Sequence, residues 1–268
     1  MSRGCITLLS DFGTTDPYVG ATRGAALSVN PDVQLVDISH DVPPHDIADA
    51  GYVLAGAFRC FPAGTVHVAI VDPGVGSERR ILAAEFGGHI LMAPDNGLLS
   101  VVFRGKEPGR TISVSNADYF RHPVSMTFHG RDVFAPVAAH LTLGVPLETM
   151  GPPVDDWKRV DVAMPAIEPG TVAGVVVHVD RFGNLVTNIS REDLEALGTP
   201  CGEGLHVYIA SEEISGVQRT YAEVSVGDLL AVIGSGGLLE ISANAGSAAD
   251  VLGVGRRTPV RVTCGLSS

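Results

Sequence analysis

Four polar clusters in the first half of the chain carry residue types that bind and activate small molecules: Ser10-Asp11-Phe12-Gly13, the run Asp37 to Asp41 (DISHD), the run Asp72 to Arg79 (DPGVGSER) and Pro94-Asp95-Asn96-Gly97. Each follows a short apolar run, the place where a strand of a parallel α/β sheet presents its carboxyl end and where ligands collect. An Asp before Gly or Pro also serves as a turn residue that accepts local N–H bonds, so one such cluster alone would say little. Four together point to one shared polar rim. Thr127-Phe128-His129-Gly130-Arg131-Asp132 adds a histidine just ahead of a helix, a position that suits a general base, a water-orienting group or a helix cap. DPGVG lacks both the GK[ST] of a P-loop and the GxGxxG of a dinucleotide fold, and no HExxH or comparable spacing marks a metal site.

The second half contributes two further clusters. Asp180-Arg181-Phe182-Gly183-Asn184 joins two apolar runs and gathers an aromatic ring with polar groups, as the wall of a pocket for a flat polar ring would. A Gly-Asn hairpin turn accounts for part of it. GSGGLLEISANAGSA exposes backbone at a strand end and a helix start, which suits main-chain hydrogen bonds to a heterocycle and equally a barrel corner.

The elements that must position these groups divide the chain in two. CITLLS, VQLVDI and TVHVAIVD read as strands separated by helices over YVGATRGAALSVN, with Asp16-Pro17 at its start, and over the segment after PPHD, where Ile47, Gly51, Leu54 and Phe58 recur at helical spacing. RRILAAEF and HILMAP form a further strand pair, and Val133 to Leu143 a third helix. This pattern predicts an α/β N-terminal domain over residues 1–150 with a mostly parallel central sheet. A Pro- and Asp-rich linker is expected over 151–167. From 168 to 268 the runs TVAGVVVHVD, NLVTNI, LHVYIA, DLLAVI, LLEISA and PVRVTC, with short helices near REDLEAL and SAADVLG, predict a β-barrel-like C-terminal domain.

Composition narrows the partners. Among 268 residues, 30 Asp and Glu face 18 Lys and Arg, a net charge of −12 that argues against broad nucleic-acid binding, which depends on Lys and Arg neutralising phosphates. No apolar run approaches the ~20 residues of a membrane span. The start MSRGCITLLSDFG meets charged Asp11 too early for a signal peptide, so a cytoplasmic protein with no membrane partner is expected. Cys5, Cys60, Cys201 and Cys264 are scattered without a CxxC pair and are expected to be reduced thiols.

In order along the chain, LLSDFGTTDPYVG, VDISHDVPPHDI, FPAGTVHVAIVDPGVGSERR, APDNGLLS, FHGRDVFAP, DRFGNLVTNI and EISANAGSAADVLG resemble the S-adenosylmethionine (SAM) hydroxide adenosyltransferases, SAM hydrolases related to fluorinase and chlorinase. The resemblance covers nearly the whole chain. It implies an N-terminal α/β domain, a C-terminal barrel and a homotrimer with sites between subunits. It also implies attack of water or hydroxide on C5′ of SAM, giving adenosine and L-methionine with no cofactor.

The implied water-activating set falls on Asp72, Arg79 and His129. Halide-using relatives carry tyrosine or other uncharged residues where Asp72 and Arg79 stand, so the pattern here matches hydroxide. By the same resemblance Asp11 receives the ribose hydroxyls, Asp16 and Tyr18 lie on the methionine-side loop, and Asp180 binds the methionine ammonium. Phe182 and Asn184 form the adenine-side turn, Ser235 lies near the methionine carboxylate, and backbone groups of Ala243, Asn244 and Ala245 meet the adenine edge. Gly236 stands where halogenases carry an arginine. Asp95, Asn96 and Phe128 complete the expected substrate contacts. Two other readings are a halide-dependent adenosyl transferase and a non-catalytic SAM or adenosine sensor.

Overall fold

The computed structural model describes residues 4–197 and 204–264; Cys201 lies outside them. The chain forms two compact units, one ending at Val162 and the other beginning at Ala163.

The first unit is a six-stranded sheet in the order β2-β1-β3-β5-β4-β6. Its strands are β1 (Cys5–Ser10), β2 (Gln34–Ser39), β3 (Val66–Ile70), β4 (Ile81–Phe86), β5 (His89–Pro94) and β6 (Thr111–Ser113). The helices are α1 (Tyr18–Val29), α2 (Ile47–Ala57), α3 (Leu98–Phe103) and α4 (Ala135–Thr142). β1 and β3 are buried almost throughout and mostly apolar because both faces are covered, the exceptions being Thr7, Ser10 and His67. Ile6, Leu8, Val66, Val68 and Ile70 pack into one core with residues of α1 and α4, whereas Leu9, Ala69 and Val71 pack into a second with residues of α2 and α3.

The sheet is mixed, which corrects the expectation of a mostly parallel one. β2, β1, β3 and β5 run parallel, but β4 is antiparallel to both β5 and β6. The reason lies at Gly87-Gly88. Phe86 pairs with His89 across these two residues, and their φ of 59° and 85° give the tight turn that only a hairpin accommodates. Helix α1 opens at Tyr18 with Pro17 at its cap and no side-chain cap bond, so Asp16 does not act as the cap. In α2 the Asp46 side chain does cap, accepting from the Asp49 N–H at 3.0 Å.

Residues 151–162, expected as linker, fold onto the first unit. Trp157 is buried against Phe103, and the Arg80 guanidinium donates to the Asp156 side chain at 2.6 Å. Beneath the sheet a buried chain links the Thr7 hydroxyl, His67 Nδ1 at 2.7 Å, and then His67 Nε2 to His89 Nδ1 at 3.1 Å. Burial first, and then His89, push the His67 pKa down to about 4.

The second unit is an antiparallel, nearly closed barrel in the order β11-β10-β14-β8-β9-β13-β12, with β7 added to β8. Its strands are β7 (Ala166–Glu168), β8 (Thr171–Val179), β9 (Leu185–Ser190), β10 (Leu205–Ile209), β11 (Glu212–Ser215), β12 (Leu229–Ile233), β13 (Leu238–Ala243) and β14 (Pro259–Cys264). Alternate residues Leu185, Thr187 and Ile189, with Leu239 and Ile241, are fully buried at its core. Short helices α5 (Arg191–Glu195) and α6 (Ala248–Leu252) follow β9 and β13 and start on Ser190 and Ser247 caps. Among the described residues no helix is long and apolar enough to cross a membrane.

Candidate active site

β3 ends at Ile70, and the loop that follows carries Asp72 and Arg79 at its two ends. Gly76, at φ 79°, lies so close to the Met126 backbone that a Cβ there would meet the Met126 carbonyl oxygen at 2.3 Å. The 72–79 loop therefore nests against the segment that carries Phe128 and His129.

Asp72 and Arg79 form a two-pronged ion pair. Arg79 Nε donates to Asp72 Oδ1 at 2.8 Å and Nη2 donates to Oδ2; the two side chains are 6% and 10% exposed. Nη2 also lies 2.9 Å from His129 Nδ1. A guanidinium has no acceptor, so Nδ1 must accept and the ring proton sits on Nε2. Burial, and then the Arg79 charge, lower the His129 pKa and favour this neutral ring, with Asp72 and Asp132 acting in the opposite direction. Of the three groups, only Asp72 keeps acceptor lone pairs free for a water.

His129 precedes a single π-helical turn, Gly130–Phe134, that leads into α4. The turn is anchored by Asp132, which is fully buried and accepts from Arg131 Nε at 2.7 Å, Arg131 Nη2 at 2.8 Å, the Ser125 N–H at 2.9 Å and Arg121 Nη1 at 3.1 Å. Burial opposes ionisation of Asp132, but these donors prevail and hold its pKa at about 2. Phe128 packs edge-on against Tyr18 at 5.3 Å and Phe12 at 6.0 Å, which makes an aromatic corner beside the histidine.

Asp11 follows β1 and accepts from the His45 N–H at 2.9 Å. Its loop is held from below, where the Ser10 hydroxyl meets His40 Nδ1 at 2.7 Å and the Gly13 N–H donates to the His40 carbonyl at 2.8 Å. Asp16 is exposed and its side chain makes no cap bond. Asp95 and Asn96 reach this rim, but their side-chain hydrogen bonds run to neighbouring protein groups.

In the second unit Asp180 shapes the β8–β9 turn. Its Oδ1 accepts from the N–H groups of Phe182 and Asn184, each at 2.9 Å, and its Oδ2 accepts from Asn184 Nδ2 at 2.8 Å. The turn thus holds Phe182 outward, 76% exposed. Gly183 has no room for a side chain, since a Cβ would lie 2.0 Å from the Ser247 hydroxyl. Ala243, Asn244 and Ala245 therefore share one end of the barrel with the Asp180–Asn184 turn. Asn244 Nδ2 donates to the Val224 carbonyl at 2.8 Å, and Ala245 adopts φ 56°. Ser235 lies on the exposed β12–β13 turn, at the opposite end of β13 from Ala243.

Sequence reasoning placed Asp132 and His40 within polar clusters but gave neither a role, and it missed Glu240. Glu240 tucks its carboxylate under Gly234, and its pKa is raised first by burial and then by the nearby Asp180 charge. A charged residue between the core positions Leu239 and Ile241 is the one signal that could have drawn attention to it.

Two models of the SAM hydroxide adenosyltransferase fold match the chain, the N-terminal domain over residues 6–151 and the C-terminal domain over residues 174–261. The chain belongs to the SAM hydroxide adenosyltransferase family. Within this family it is 39% identical over 265 residues to an (R)-S-adenosyl-L-methionine hydrolase from Salinispora tropica, covering 97% of this chain and 98% of that one. A fluorinase from Actinopolyspora mzabensis is more distant, at 30% identity over 294 residues and 98% of each chain. The crystal structure of an uncharacterized conserved protein from Thermotoga maritima matches with a TM-score of 0.90 at 34% identity, over 96% of this chain and 99% of that one.

Proposed function

We propose that this SAM hydroxide adenosyltransferase hydrolyses SAM to adenosine and L-methionine. The observation that carries the reading is the linked set Asp72, Arg79 and His129 on the loops after β3 and before the π turn. A water oxygen forms the new bond to C5′ as the C5′–S bond breaks, and the bonding pair leaves on sulfur as a neutral thioether. One water proton is released. Because the sulfonium departs without protonation, no general acid and no cofactor are required.

The demands on the protein are alignment and charge. Asp72 accepts the water's hydrogen bond and draws off its proton, while Arg79 keeps the carboxylate fixed and stabilises the negative charge growing on oxygen. His129, held neutral, completes the network as an Nε2–H donor. The Asp72 carboxylate also disfavours halide, since two negative charges in a site shielded from water repel strongly.

Asp11 would receive the ribose hydroxyls with its free lone pairs. Tyr18 and Asp16 would border the methionine, Asp180 its ammonium, Ser235 its carboxylate, and Phe182, Asn184 and Ala243–Ala245 the adenine. The proposed assembly is a homotrimer with sites between subunits, as the family resemblance implies. It is supported by Phe182, an exposed apolar ring that a neighbouring chain would cover.

Purified protein given SAM in oxygen-18 water is expected to place the label in the adenosine 5′-hydroxyl, and the same preparation should scatter light as three chain masses. Unlabelled adenosine would sink the hydrolytic step. Tight SAM binding without product, unaffected by changes at Asp72 and His129, would identify a sensor instead. A monomer with full activity would refute the intersubunit site.

A further inference from the structure

We propose that Asp95 and Asn96 are positioning residues that clamp both ends of the loop carrying Asp72 and Arg79, holding that pair in register for reaction. The inference rests on the hydrolase reading for its kinetic consequence, but not for its geometry.

The loop runs from Val71, one residue past the end of β3, to Arg80, one residue before β4. Asn96 Nδ2 donates to the Val71 carbonyl at 2.8 Å, one peptide before Asp72. The Asp95 N–H donates to the Arg80 carbonyl at 2.9 Å, one residue after Arg79. Two consecutive residues at the end of β5 thus grip the chain immediately outside each reacting side chain.

The clamp is itself fixed. Asn96 Oδ1 accepts from the Leu98 N–H at 3.2 Å at the start of α3, and only one orientation of the amide satisfies both this donor and the Val71 carbonyl. The Asp95 carboxylate, 6% exposed, accepts from Arg80 Nε at 2.8 Å on one oxygen and from the Lys158 N–H at 2.6 Å on the other. Arg80 in turn holds Asp156. With their polar atoms so used, Asp95 and Asn96 serve the reacting pair from behind rather than the substrate.

The loop between the two grips is rich in turn bonds of its own. The Val75 N–H donates to the Asp72 carbonyl at 3.2 Å, and the Ser77 hydroxyl donates to the Gly74 carbonyl at 2.7 Å. A loop closed at its ends and braced inside holds a carboxylate–guanidinium pair rigidly. Small misplacements of such a pair are costly to an in-line displacement.

The test is Asn96→Ser, whose hydroxyl can still accept from the Leu98 N–H but is too short to reach Val71. Its kcat for SAM should fall by ~10-fold or more with KM changed by less than about twofold. Hydrogen exchange of the Arg79 Nε–H, read by NMR on arginine-labelled protein and assigned with Arg79→Lys, should quicken in parallel. Asn96→Asp, which keeps the acceptor for the Leu98 N–H but sets an oxygen against the Val71 carbonyl, should do the same and serves if the serine variant does not fold. Unchanged Arg79 exchange in the folded variant overturns the clamp. So does a raised KM at unchanged kcat, which would place Asn96 on the substrate. If the parent protein makes no adenosine while Arg79 exchange still responds, the clamp stands and the hydrolase reading falls.

Discussion

Asp72→Asn is expected to lower kcat for SAM hydrolysis by ~10²–10⁴-fold while KM stays within about threefold. Asn preserves the shape of the carboxylate but not its charge, so the water loses its only strong acceptor among the three linked groups. Arg79 loses its paired charge at the same moment, keeping His129. Ser77 and Gly74 continue to hold the loop, because their bonds do not involve the Asp72 side chain. Steady-state kinetics, paired with calorimetric binding of adenosine, check this. A comparable loss in adenosine affinity would reassign Asp72 to binding, and full activity would remove it from the reaction.

Asp132→Ala should destabilise the protein by ~1–3 kcal/mol, because the Ser125 N–H loses its acceptor and the partly exposed Arg121 and Arg131 lose the buried group that orders them. Urea denaturation at neutral pH measures it. The pH dependence supplies an independent signature. Asp132 is depressed from 3.8 to about 2, so the unfolded chain binds the proton first; the stabilisation is complete above pH 4 and is lost as pH falls toward 2. His67, depressed from 6.5 to about 4, acts in an earlier window: it favours the fold above pH 6.5, and that contribution drains away down to pH 4. Acid unfolding of the parent should therefore deepen in two stages. Asp132→Ala should erase the lower one, and an unchanged lower stage would show that Asp132 does not supply it.

Much of this architecture is legible in the chain because periodicity is a statement about burial. VHVAI and CITLLS are buried on nearly every residue and apolar but for His67, Thr7 and Ser10, and both lie between two helical layers. LHVYI alternates, and its buried residues Leu205, Val207 and Ile209 face the barrel core. Helix α3 escaped notice because LLSVVF is six residues long and wholly buried, which leaves no amphipathic period to read. The mixed sheet was signalled by Gly87-Gly88, but its consequence for strand direction emerges only once β4 and β5 are seen to pair.

The site divides in the same way. Asp72 and Arg79 are close in sequence and meet as a loop's two ends, whereas His129 joins them only because the fold returns fifty residues later. Residue type could suggest Asp95 and Asn96 as ligand contacts. Which atoms they spend on Val71, Arg80 and Lys158 is a property of packing that no local pattern reveals.

The hairpin at Gly87-Gly88 carries a consequence for how this chemistry can change. By turning the chain back on itself it places Ile81 beside Pro94 at the edge where β3 ends, so the span from Pro73 to Glu78 begins and finishes on anchored backbone. The side chains at positions 72 and 79, at the ends of that span, can therefore change while the backbone at Val71 and Arg80 beside them stays where it is. A lineage could thus exchange one incoming nucleophile for another without rebuilding the nucleoside's seat.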